Sequence, residues 1–154
     1  MRISGDWIAA EETQAVCRAL TDVGFQALFV GGCVRNALLD VRVDDIDIAT
    51  DAHPETVMDL ARAAGMKPVP TGIDHGTVTV VSQHVPHEVT TFREDVETFG
   101  RHAVVAYATD VREDARRRDF TMNALYARPD GEIVDPLGGL PDLLARRVRF
   151  IEDP

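Results

Sequence analysis

The stretch Asp44-Asp45-Ile46-Asp47-Ile48-Ala49-Thr50 constrains the fold more tightly than any other part of the sequence. Its acidic and apolar residues alternate, and a period of two marks an extended strand whose side chains point to opposite faces. The alternation predicts a strand over Asp45–Ala49, with Ile46 and Ile48 turned to a core and Asp45 and Asp47 side by side on the other face. Like charges held that close are unfavourable unless a cation neutralises them. Oxygen ligands with no His or Cys nearby suit Mg²⁺ rather than zinc. A strand with a solvated acidic face is the plain alternative, and the pattern alone does not separate the two.

The segment just upstream adds to the cation reading. Phe25–Val30 is a short apolar run that reads as a buried strand, and it enters Gly31-Gly32-Cys33-Val34-Arg35, which opens a helix over Cys33–Leu39. Two glycines let a phosphate approach the backbone closely, the helix N-terminus supplies free N–H donors, and Arg35 can fork a phosphate. A turn that needs glycine only for its geometry would look the same. Paired with the acidic strand, however, the segment describes a triphosphate site with metal ions beside it. Glu88, in His87-Glu88-Val89-Thr90-Thr91-Phe92-Arg93, offers a third carboxylate if its strand neighbours the first; otherwise it faces solvent. Arg116-Arg117-Arg118-Asp119 is a dense basic cluster in an acidic chain. It fits an anionic partner or a solvated helix face, and Asp119 could orient one of the guanidiniums. His75 and His102 lack metal-ligand spacing and read as structural or surface residues.

Around these segments the periodicity gives an outline. Ile8, Val16, Ala19, Leu20 and Val23 predict a helix from Asp6 to Val23, stopped by Gly24. Pro54 opens a helix that Gly65 closes. Thr77–Val81 and Glu88–Phe92 read as strands around a polar bend through Gln83–Pro86. Arg93–Thr109 has little periodicity and reads as a long loop. A helix over Asp110–Leu125, a hairpin over Tyr126–Val134 turning on Pro129-Asp130-Gly131, a helix over Leu140–Arg146 and a strand over Val148–Ile151 complete the chain. The fold class expected is α+β, a mixed sheet flanked by helices.

With 154 residues the chain fits one domain, and its 45% hydrophobic and 27% charged content is ordinary for a soluble globular protein. No segment approaches the length of a membrane span, so a cytoplasmic protein with no membrane partner is expected. Cys17 and Cys33 make no disulfide framework and read as small, partly buried side chains. The net charge of −10 is unusual for a protein that grips nucleic acid along its length, because phosphate neutralisation favours a basic face. Either the chain binds no RNA, or it meets only an RNA terminus.

The strings GGCVRNALLD and DDIDIAT, followed by HGTVTVV, EVTTFRED, GRHAVV, RRDFTMNAL and DPLGGLPDLLARRVRFI, together resemble the catalytic head of bacterial class II tRNA CCA-adding nucleotidyltransferases and their poly(A) polymerase relatives. The likeness runs from Phe25 nearly to the end of the chain. It implies a polymerase-β-like head over residues 1–154, with an N-terminal helix at 6–23 and a catalytic core at 25–151. It further implies two-metal transfer of CMP and AMP from CTP and ATP to a tRNA 3′ end, with release of pyrophosphate. In that scheme Asp45 and Asp47 bind Mg²⁺, Glu88 is the third carboxylate, and Gly31, Gly32 and Arg35 meet the triphosphate. Arg117, Arg118 and Asp119 form a nucleotide-contacting block with a ribose role. Residues 93–109 correspond to the family's flexible loop. Asn36 and Asp40 depart from the Asp and Gly that the family often carries there. The helical neck, body and tail that hold most of the tRNA and select the base are expected to lie past Pro154. A poly(A) polymerase of the same family and a catalytically incomplete NTP-binding fragment are the alternatives.

Overall fold

The computed structural model describes residues 2–97, 103–118 and 124–137. The helix predicted over Leu140–Arg146, the strand over Val148–Ile151, and Asp119 and His102 lie outside them. The predicted first helix is two: α1 (Asp6–Ala9) and α2 (Glu11–Thr21), broken at Ala10, where ψ is 134°. The break lets Ile8 turn into the core. The carbonyl of Ile8, which no longer has a helical partner, accepts from Gln14 Nε2 at 2.7 Å, and the same amide reaches Pro129 O at 2.9 Å. Then follow β1 (Leu28–Val30), α3 (Gly32–Leu38), β2 (Asp47–Thr50) and α4 (Pro54–Ala63), with Pro54 at the first helical position as expected.

β3 (Lys67–Gly72) was not foreseen. Pro68 and Pro70 argue against a strand, but β3 is an edge of the sheet, where a missing N–H is tolerated. β4 (Thr77–Ser82) and β5 (Val85–Thr91) are longer than predicted, and Pro86 belongs to a strand rather than to the bend. Gln83 and His84 alone make the turn, both at positive φ, the geometry that matches the twist of a two-residue hairpin. Arg93–Thr109 is not a structureless loop: β6 (Arg93–Glu97) and β7 (Ala103–Tyr107) pair as a separate antiparallel ribbon. One of these strands is rich in charge and the other in alanine and valine, so neither shows the alternation that would reveal it. α5 is confined to Val111–Arg116, shorter than the predicted helix. Asp110 caps it by accepting from Arg112 N at 2.9 Å, and Arg118 N closes a tight turn onto Ala115 O at 3.2 Å. β8 (Tyr126–Ala127) and β9 (Ile133–Val134) form the predicted hairpin.

The main sheet runs β3-β4-β5-β2-β1-β8-β9, with β2 and β5 parallel and the other described pairs antiparallel. Alternation divides its residues between two faces. Phe29, Ile48, Val78, Val80, Val89 and Ala127 pack under α2 and α4, where Val16, Leu20 and Val57 meet them. Leu28, Val30, Ala49 and Tyr126 turn to the other face, towards α5 and Phe92. His87 is buried on the α2 face. Its Nδ1 lies 3.3 Å from Val80 O and its Nε2 2.9 Å from Thr13 Oγ1. Because a carbonyl can only accept, Nδ1 carries the proton and Nε2 accepts from the threonine hydroxyl. Burial holds this histidine below its ordinary pKa, so it pins α2 to the sheet as a neutral ring. No helix among the described residues is long and apolar enough to cross a membrane.

Asp40, the departure from glycine noted in the sequence, sits at φ 56°, in the left-handed region. Asp tolerates that conformation better than most residues, but glycine adopts it without steric cost. Asp40→Gly should therefore raise stability by about 0.5 kcal/mol, read as a higher urea midpoint with unchanged slope. A lower midpoint would mean that the aspartate side chain more than offsets its backbone strain.

Candidate active site

The parallel pairing of β2 with β5 sets the register of the site. Asp47 lies opposite Glu88, Ile48 opposite Val89, and Glu88 N donates to Ile46 O at 3.1 Å. Since Ile48 and Val89 face the α2 side, Asp47 and Glu88 share the α5 face. Their side chains are therefore neighbours on one face of adjacent strands. Burial first, then the charge of Glu88 and the hydrogen bond to it, push the Asp47 carboxyl up to about 6; Asp45 adds to the rise and Arg118 opposes it. The strand begins at Asp47, so Asp45 is exposed in the approach to β2 rather than inside it, as the sequence predicted. The ladder starts only where Ile46 O meets β5. Asp45 nevertheless stays at the site: with Asp44, Asp47, Thr79, Pro86 and Glu88 it lines a cleft of about 320 Å³. Among the described residues no three His, Cys, Asp or Glu side chains are drawn together as a finished ion cage. The centre is a carboxyl pair with a third carboxylate at its margin, and two acids forced together suit a divalent cation.

The glycine turn closes one side. Gly31 has φ 76°, and a Cβ there would lie 4.0 Å from Asp47 Oδ2, so the turn and the acidic strand are neighbours, as the sequence required. Gly32 begins α3, and a Cβ on it would stand 3.4 Å from Arg35 Nη2: the guanidinium folds back over the turn. Its Nε also donates to Asn36 Oδ1 at 3.3 Å. Cys33 lies under the turn, with Sγ donating to Val30 O at 3.3 Å. Burial pushes its thiol up to about 11, which keeps it a small inert side chain rather than a nucleophile.

The basic cluster divides. Arg116 pairs with Glu113 at 3.1 Å on the exposed face of α5, and Arg117 is the half-buried residue that ends the helix. Arg118 is held inward: Nη2 meets Asp114 Oδ2 at 3.3 Å, Nε donates to the Tyr126 hydroxyl at 3.3 Å, and the guanidinium carbon lies 5.7 Å from the Tyr126 ring centre. Sequence reasoning missed Asp114 and Tyr126. The one available signal was that Asp114 precedes Arg118 by four residues, the spacing of neighbours on a helix.

Carboxyls meeting across parallel strands beside a glycine turn, on a sheet of this order, fit a protein that handles nucleotide phosphates. The chain belongs to the family described as the poly(A) polymerase head domain, whose model matches residues 27–149. That family generally uses divalent metal ions. The CCA-adding enzyme of Anoxybacillus flavithermus is 44% identical over 142 residues, which cover 91% of this chain and 35% of that protein. The CCA-adding enzyme of Bacillus cytotoxicus is 46% identical over 149 residues, covering 90% and 36%. The chain thus spans about a third of the length of the curated relatives it matches. Among solved structures, the Bacillus stearothermophilus CCA-adding enzyme in complex with CTP superimposes with a TM-score of 0.81 at 39% identity, over 92% of this chain and 33% of that one. A tRNA nucleotidyltransferase complexed with a primer tRNA and an incoming ATP analog gives 0.69 at 30% identity, over 89% and 39%.

Proposed function

We propose that this chain is the catalytic head of a tRNA nucleotidyltransferase that adds CMP and AMP, from CTP and ATP, to a tRNA 3′ end. The observation that carries the proposal is the register of Asp47 against Glu88 beside the Gly31 turn. The related structures are complexes with CTP and with a primer tRNA and an ATP analog, and these ligands suggest the substrate class. We read residues 1–154 as one head domain, acting at the RNA terminus while other parts of such a protein hold the tRNA. The net charge of −10 agrees with that division, and the tRNA substrate with a cytoplasmic protein.

Asp45 and Asp47 are the residues that would hold Mg²⁺, with Glu88 beside them. The ion, when bound, neutralises phosphate charge and makes a hydroxyl easier to deprotonate. The remaining work is positioning. The Gly31-Gly32 backbone leaves room for the triphosphate against the N-terminus of α3, and Arg35 lies over that turn as a counter-charge. Arg118, and with it Arg117 and Asp119, would contact the nucleotide from the α5 side.

Calorimetric titration with CTP, ATP, GTP and UTP, with and without Mg²⁺, tests this. Binding should require Mg²⁺ and discriminate weakly among the bases. Absence of binding, or binding indifferent to the cation, would count against the proposal. The poly(A) polymerase reading shares this head and is favoured only by the family description; sequencing the tails added to tRNA by a protein that carries this head separates the two.

A further inference from the structure

Asp114 is a buried carboxylate that is not one of the acidic pair, and three donors converge on it. Oδ2 accepts from the Tyr126 hydroxyl at 2.7 Å and from Arg118 Nη2 at 3.3 Å, and Oδ1 accepts from Arg93 N at 3.0 Å. Asp114 is 2% exposed and Tyr126 fully buried, whereas 23% of the Arg118 side chain is exposed. A buried carboxylate is costly unless paired and hydrogen-bonded, and here every described contact serves to fix its surroundings. Burial, then the Asp114 charge, pushes the Tyr126 phenol up, so it remains a donor to the carboxylate. Burial works against the Arg118 charge, but Tyr126 and Asp114 hold its pKa above the ordinary value.

The three anchors come from separate elements. Asp114 is on α5, Tyr126 on β8, and Arg93 begins the ribbon strand β6. Tyr126 pairs in register with Val30, the residue immediately before the Gly31-Gly32 turn. The network therefore ties Arg118 to the frame that sets the glycine turn. A guanidinium has five N–H donors, and two of them are committed to this network. A long side chain ordered in advance loses less entropy when it meets an anion than one ordered on binding.

We propose that Asp114 and Tyr126 are positioning residues: together they orient Arg118 towards the incoming nucleotide and so set its affinity. The inference rests on the nucleotidyltransferase reading above. Asp114 sets the direction of the guanidinium through Nη2, and Tyr126 through Nε and its ring face. Neither needs to touch the nucleotide.

A double-mutant cycle tests it, with Mg²⁺–CTP affinity measured by calorimetry on the native chain, Tyr126→Phe, Arg118→Ala and the double variant. Tyr126→Phe keeps the ring and removes the hydroxyl. It should weaken binding about 3- to 10-fold, the scale of one lost hydrogen bond. In the Arg118→Ala background the same change should have almost no further effect. Asp114→Asn, which keeps the shape but loses the charge, should behave likewise, and Asp114→Glu should not restore affinity because its longer arm displaces the guanidinium. Circular dichroism melts on each variant show which remain folded, and Tyr126→Phe provides the cycle if the Asp114 variants do not. Equal losses from Tyr126→Phe with and without Arg118 would overturn the inference, as would nucleotide binding that Arg118→Ala leaves unchanged. Failure of the native chain to bind Mg²⁺–CTP would instead overturn the functional reading beneath it.

Discussion

On the proposed reading, replacing Asp47 by Asn should abolish nucleotidyl transfer by a protein that carries this head and, in the absence of a divalent ion, make the fold more stable. Transfer should fall by about 10³ or more, because on that reading the carboxylate would act at the reacting phosphate, where charge is greatest. The stability change follows from the pKa. The Asp47 carboxyl rises from 3.8 to about 6 on folding, so the native state holds more protons than the unfolded chain between those values. Stability therefore declines as pH rises through that window, and the deficit is complete above about 6. A rise of this size corresponds to about 3 kcal/mol; solvent screening of a group only partly buried reduces this to about 1 kcal/mol. Asn removes the charge and keeps the shape. The melting temperature in EDTA at pH 7 should rise by roughly 2–4 °C, and the difference between the two proteins should shrink towards pH 4. A lower melting temperature for Asp47→Asn at pH 7 would show that the carboxylate stabilises the empty site, and the case for a cation there would weaken.

Gly131→Ala should be the most damaging of the single substitutions considered. Gly131 sits at φ 94°, and a Cβ there would overlap the backbone carbonyl oxygen of Ile3. Ile3 N donates to Gly131 O at 2.8 Å, and Arg2 bridges Glu132, so the N-terminal segment lies directly on this turn. Backbone cannot yield as a flexible side chain can. The substitution should cost about 3 kcal/mol or more, combining backbone strain with displacement of buried Ile3. That corresponds to a loss of roughly 6–12 °C in melting temperature, with the first residues becoming sensitive to protease. The exposed Arg2–Asp130 ion pair, at 3.0 Å, is too solvated to offset it. A change of only a degree or two would mean that the segment does not depend on the turn.

The parts of this molecule that the sequence made legible are those where one local pattern decides the matter. Alternation through Ile48 put Asp47 on the face away from the α2 core, and the glycine turn named beside the acidic strand does lie next to Asp47. Pro129-Asp130-Gly131 marked its hairpin. The failures have physical causes. Asp45 lies outside β2 because a strand exists only where a partner offers hydrogen bonds, and the ladder from β5 begins at Ile46. β3 was hidden by prolines that only an edge position tolerates, and the ribbon by strands whose composition differs too much to read as a pair. At the site, Asp47 and Glu88 were nominated separately, but their contact depends on a parallel register that no local pattern encodes. Asp114 and Tyr126 were invisible for the same reason: each reads as ordinary until the fold sets them around Arg118.

β2 and β5 are parallel, and α4, β3 and β4 lie between them in the chain. No hairpin can bring such strands together, so the polypeptide must complete a crossover before they meet. Closing a loop of that length costs more chain entropy than closing a hairpin, so this pairing is expected to follow the local contacts. Collapsed intermediates that already hold helices and the β4–β5 hairpin would lack the pairing of the two acids. Competence for ligand would then arrive with the last long-range contacts, and a partly folded molecule would be silent rather than weakly or wrongly active.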